Sequence, residues 1–149
     1  MRLLEVRERI MEQLENPEYD LGVYDGFSLN FILIPFEENY KFYVITGTSQ
    51  SNIIPFGNDY LFIAEPDGQI ESWKKFHTSF LPTYTNYEGK RIRELTHSHI
   101  NENPLISATD ICTFMLYAPF YGVESFSVYS DGIYMEYSLK NNDIIIKTE

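Results

Sequence analysis

A single cysteine, a shortage of basic residues and the lack of any long apolar run set the first limits on this chain of 149 residues. Cys112 has no second cysteine to form an internal disulfide, and its place inside an apolar stretch reads as a buried free thiol. Lys and Arg number 11 against 22 Asp and Glu, for a formal charge of -11. That balance repels a phosphate backbone, and no basic run offsets it locally, so no nucleic-acid partner is expected. No stretch approaches membrane-spanning length, and charges interrupt MRLLEVRERIMEQLE where a secretory signal needs an unbroken apolar segment. The expectation is a cytoplasmic protein without a membrane partner, although a domain cut from a longer secreted chain would read the same. Repeats, low-complexity tracts and linkers are missing too, so residues 1–149 are expected to form one domain.

What is abundant is aromatic. Twelve Tyr and eleven Phe within 44% hydrophobic residues favour half-buried sheet faces over a helical bundle, which gives an α+β class with more strand than helix. Leu3, Val6, Ile10 and Leu14 recur at helical spacing and predict a helix over about 2–15, stopped by Asn16 and Pro17. FSLNFILIPF and KFYVITG read as two strands joined tightly, the first apolar enough to be central in its sheet. IIPFGN follows, and then YLFIA and QIESW form a hairpin across the Asp67-Gly68 turn. Residues 74–90 show no sustained period and read as a short helix or irregular excursion. RIRELTH is a strand, and Ser107 caps a helix that Pro119 ends. FSVYS and GIYMEYSL make a hairpin across Asp131-Gly132, which DIIIKT extends. Trp73 reads as a core or half-buried anchor.

The chain holds only three histidines, and two of them stand one residue apart in THSHINENPLISATD, residues 96–110. On a strand, alternation points His97 and His99 to the same face. Asp110, in the first turn of the following helix, can supply a carboxylate oxygen if the loop turns back. Two nitrogens and one carboxylate would leave a fourth tetrahedral position for water, the ligand count of a catalytic zinc site. Read locally, Ser107 and Asp110 are equally well an N-cap and a first-turn acid favoured by the helix dipole. The third histidine, His77, lies in a stretch with nothing to define geometry, and reads as a surface or lid residue.

The spacing His-x-His, seven residues, Ser-x-x-Asp, present as His97, His99, Ser107 and Asp110, resembles the signature of the JAMM metalloproteases, the JAB1/MPN family. The resemblance covers about residues 91–139, with Ile100 where the family often has proline. It implies a mixed β-sheet with an N-terminal helix and a helix after the metal-binding strand. It further implies Zn2+ held by His97, His99 and Asp110, and hydrolysis of a peptide or isopeptide bond in a peptide or protein substrate. Ser107 would donate to the tetrahedral oxyanion, and an early glutamate would serve as general base. Glu18 is the first candidate for that base, ahead of Asp59, Glu65 and Glu71. A catalytically inactive relative acting as an interaction or adaptor protein is the alternative.

Overall fold

A computed structural model describes residues 2–148 and shows a mixed α+β fold with two α-helices and several sheets. Helix α1, Leu3–Gln13, follows the expected period, and its Val6 and Ile10 are fully buried. Each such side chain contributes about 1.5–3 kcal/mol by leaving water. Asn16 accepts a hydrogen bond from the Glu18 amide and opens a short 3-10 turn, Pro17–Tyr19.

Strands β1 (Phe27–Phe36), β2 (Asn39–Thr48), β4 (Tyr60–Ala64) and β5 (Ile70–Lys75) form one antiparallel sheet in the order β1-β2-β4-β5. β1 is thus an edge strand, not a central one. Its apolar run has another cause: Leu29, Phe31 and Leu33 pack toward the α1 core, while Ile32 and Ile34 line a cavity shared with the second helix. One face turns to the α1 core, and the other borders the start of α2 only across that cavity and stays partly open. Trp73 on β5 packs one side against Tyr19, Tyr60 and Phe62 but is exposed at 36%, not the core or half-buried anchor expected.

The segment read as a helix or irregular excursion instead contains β6, Phe80–Tyr84, paired antiparallel with β3, Ile53–Gly57. Pro82 hid the strand. It faces Pro55 across the ladder, at a pair position where neither amide hydrogen is needed. A short ribbon of β7, Asn86–Tyr87, and β8, Lys90–Arg91, follows.

The second four-stranded sheet has the order β12-β11-β10-β9, from β9 (Glu94–Ser98), β10 (Ser125–Ser130), β11 (Ile133–Ser138) and β12 (Asp143–Thr148). β9 and β10 run parallel, which requires a crossover, and helix α2, Ala108–Tyr121, provides it. Contrary to expectation, α2 runs past Pro119 by two residues. The carbonyl that Pro119 leaves without a partner belongs to Met115, on the exposed side where water can reach it. Gly122, left-handed at φ 69, is the true stop. Phe114 and Ala118 of α2 join Ile54, Phe56, Leu95, Phe126 and Val128 in the second core. No helix among the described residues is long and apolar enough to cross a membrane.

Candidate metal centre

Two local rules place three of the site residues. On β9 the side chains alternate as expected: Leu95, His97 and His99 turn inward, while Thr96 and Ser98 are exposed. His99 lies one residue past the strand, and its amide donates to the Tyr129 carbonyl at 3.1 Å, which prolongs the ladder far enough to hold the ring. At the start of α2, Ser107 and Asp110 form a reciprocal capping box. The Asp110 amide donates to Ser107 Oγ, and the Ser107 amide donates to Asp110 Oδ2, each at 3.0 Å. The N-cap reading and the ligand reading both apply, because the capping leaves Asp110 Oδ1 free to face the histidines.

The fourth member is His77, which sequence reasoning set aside as a surface or lid residue. It is only 4% exposed, and it joins His97, His99 and Asp110 in a cluster whose donor atoms all lie within 4.8 Å of one another. A hairpin brings it there. β4 and β5 pair with Tyr60 opposite Lys75, so Asp59 sits opposite Phe76, whose amide donates to the Asp59 carbonyl at 3.1 Å. His77 is the next residue. Its Nδ1 donates to Asp59 Oδ1 at 2.7 Å. Asp59 itself is 3% exposed, and Gly57 makes its loop possible, since at φ 79 an added Cβ would lie 2.3 Å from the Ser79 carbonyl oxygen.

Hydrogen bonding decides where the imidazole protons reside. His77 Nδ1 faces a carboxylate, and His99 Nδ1 faces the carbonyls of Asn103 and Leu105 at 3.0 and 2.9 Å, so both Nδ1 atoms carry hydrogen. In their neutral forms both rings then present a bare lone pair at Nε2. Yet the two Nε2 atoms are 2.9 Å apart, and His97 Nε2 is 3.0 Å from that of His99. Asp110 Oδ1, wholly buried with no hydrogen-bond donor, lies 3.3 Å from His77 Nε2 and 3.4 Å from His97 Nε2. Asp110 Oδ2 is 3.2 Å from His99 Nε2. Lone pairs and a carboxylate at such distances require a cation among them, either a proton or a metal ion.

The donor set fits a metal ion. A tetrahedron with zinc–nitrogen bonds of about 2.0–2.1 Å has edges of about 3.3 Å; five separations in the group, counting either Asp110 oxygen, are 2.9 to 3.4 Å, and the whole set lies within 4.8 Å. The supporting contacts are those that orient metal-bound imidazoles: a carboxylate on one Nδ1 and backbone carbonyls on another. Charge fits as well. Both Asp59 oxygens accept, one from His77 and the other from the Thr109 hydroxyl. A divalent cation would balance two buried carboxylates, whereas a single proton would leave one negative charge uncompensated.

Without metal, a proton takes the central place. Burial disfavours charge on His77, but the Asp110 and Asp59 carboxylates outweigh it and push its pKa up to about 10. Burial would likewise raise Asp110, and its contacts with His77, His97 and His99 instead hold it well below the ordinary carboxylate range.

The remaining expected residues are placed as follows. Ser107 is buried, and because Thr109 spends its one hydrogen on Asp59, Ser107 donates its own to Thr109 at 2.8 Å. Glu18 is exposed on the 3-10 turn, Glu65 is exposed at the end of β4, and Glu71 is exposed and bonded to Asn39. None of the three belongs to the converging group, while Asp59 reaches it through His77. A cavity of about 140 Å³ lies against His77 and His99, lined also by Phe76, Ser79, Leu81 and Ile100. Comparison with protein-family models, curated proteins and solved structures finds no match to this chain, so the likeness to JAMM metalloproteases rests on the motif.

Proposed function

We propose that this chain is a zinc-binding interaction domain without hydrolytic activity, in which His77, His97, His99 and Asp110 together hold the metal. The observation that supports this reading is His77 as a fourth donor within 4.8 Å of the other three, where a catalytic site would keep an open position. Three buried donors and the half-buried His97 describe a closed site. The ion would tie the β5–β6 connection, the end of β9 and the start of α2 together, contributing to folding as structural zinc does. The commitment of the Ser107 hydrogen to Thr109 supports the same reading, since it leaves no free donor there for an oxyanion.

A second reading keeps the resemblance whole: a zinc-dependent hydrolase of peptide or isopeptide bonds. The cavity against His77 and His99 favours it, as it would admit a small group to the site. Zinc on His97, His99 and Asp110 would supply Lewis acidity and lower the pKa of water. His77, steadied by Asp59, would then move aside and accept the proton, and Ser107 would turn from Thr109 toward the substrate.

Elemental analysis and a chelator-controlled assay on a diverse peptide and isopeptide library separate the readings. The expected result is one zinc per chain, a four-coordinate spectrum after cobalt substitution, and no cleavage. Cleavage abolished by a chelator and restored by zinc overturns the first reading in favour of the second. A protein that neither retains nor takes up zinc overturns both.

A further inference from the structure

Helix α2 carries one charged residue in fourteen, Asp110, and that residue is turned inward to the histidines. Its outward stripe is Ala108, Cys112, Met115, Leu116, Pro119 and Phe120, at the spacing of one helical face. Surface helices place charge there. Here Phe120 is 82% exposed, Met115 51% and Leu116 49%. A helix apolar all round is ordinarily covered on every side.

Beside this ridge lies a hollow of about 240 Å³, bounded by Ile32, Ile34, Tyr43 and Ile45 of the first sheet and by Ala108 and Cys112 of α2. Ridge and hollow form one continuous patch. It ends at Lys41, whose ammonium sits 3.7 Å from the centre of the Phe36 ring. The exposed part amounts to on the order of 500 Å² of apolar surface, at the upper end for a monomer. With its polar margin it approaches the ~800 Å² per partner that a stable interface needs.

We infer that this face docks a second copy of the chain, in a two-fold symmetric dimer built on α2. A ridge and a hollow side by side on one patch are self-complementary under two-fold rotation, the ridge of each copy entering the hollow of the other. Charge points the same way. A partner selected by ion pairing would find no charge on the α2 stripe, which has Lys41 and Arg91 only at its margins, and two chains of net charge -11 meet with least repulsion through a face that carries no acid. Repulsion between the rest of the two surfaces makes salt strengthen the association, the reverse of an interface held by ion pairs.

Sedimentation of the full chain with zinc supplied, over a concentration series at low and physiological salt, tests the inference. The expected species has twice the 17.5 kDa mass of the chain and forms more readily as salt rises. Phe120→Glu and Met115→Glu are expected to weaken it at least tenfold, while Ile146→Glu, at an exposed site on the edge strand β12, leaves it unchanged. Circular dichroism and zinc content, read on every sample, confirm that each variant is folded. A folded wild type that stays at 17.5 kDa, a dimer loosened by salt, or one unmoved by both glutamates overturns the inference. Because zinc is measured alongside, a zinc-loaded monomer leaves the metal reading standing, and a zinc-free dimer overturns that reading alone.

Discussion

Replacing Asp59 by Asn tests the metal centre at the residue that makes His77 a ligand. The substitution preserves volume, and the new side-chain carbonyl can still accept from His77 Nδ1, but it removes the negative charge 2.7 Å from the ring. It also turns an amide toward Thr109, whose hydrogen then has no acceptor on residue 59. Loss of such an outer partner lowers metal affinity about 10- to 100-fold, or roughly 1.4–2.7 kcal/mol. At a fixed zinc concentration well above both dissociation constants, the same free energy is lost from the folded state. For a chain of this size that corresponds to a fall in Tm of about 3–10 °C. Affinity would be measured by competition with a chromophoric chelator near neutral pH, and Tm by calorimetry with and without zinc. His77→Ala, which removes the donor itself, should lower affinity further than D59N. If H77A binds zinc as tightly as wild type, His77 is no ligand and the four-donor site is wrong. If D59N alone matches wild type, the Asp59 charge has no part in holding the metal.

Proton competition supplies another test. The metal-free His77 pKa of about 10 lies above its ordinary 6.5, so zinc binding must displace a proton at any pH below 10, and affinity should rise about tenfold per pH unit between 7 and 9. Calorimetry in buffers of different ionisation enthalpy would count that proton, and pH-independent binding over this range would refute it. In the metal-free protein the raised His77 pKa gives a stabilisation that is complete below 6.5 and lost as pH rises through 10. The lowered Asp110 pKa gives one present above 3.8 and lost on acidification, so metal-free unfolding should be easier at both extremes. Ser107→Ala should cost about 0.5–2 kcal/mol in denaturant melts through the lost cap while zinc content holds at one per chain. Loss of zinc from S107A would show that the capping box is needed to aim Asp110.

What could be read from the sequence was whatever depends on neighbours along the chain. His97 and His99 share a face because strand side chains alternate, and Ser107 and Asp110 meet because three residues make a helical cap. The α1 period, the Asp67-Gly68 hairpin and the aromatic bias toward strands were legible for the same reason. Features set by distant packing were not. The apolar run of β1 suggested a central strand, but the sheet order makes it an edge, with one face on the α1 core and the other on a cavity beside α2. Pro82 concealed β6, since its tolerance depends on which partner position it faces. His77 is twenty residues from the nearer of the other two histidines in the sequence, and no short spacing links them. The Asp67-Gly68 turn marks the hairpin, but a register shift at Ile63/Ala64 intervenes before Tyr60 pairs with Lys75 and Asp59 comes opposite Phe76, beside His77. A bulge of that kind is set by the folded sheet and not by the turn residues. Only the packing of that hairpin against β9 and the first turn of α2 brings His77 within reach of His97, His99 and Asp110, and so makes a group of four donors out of three.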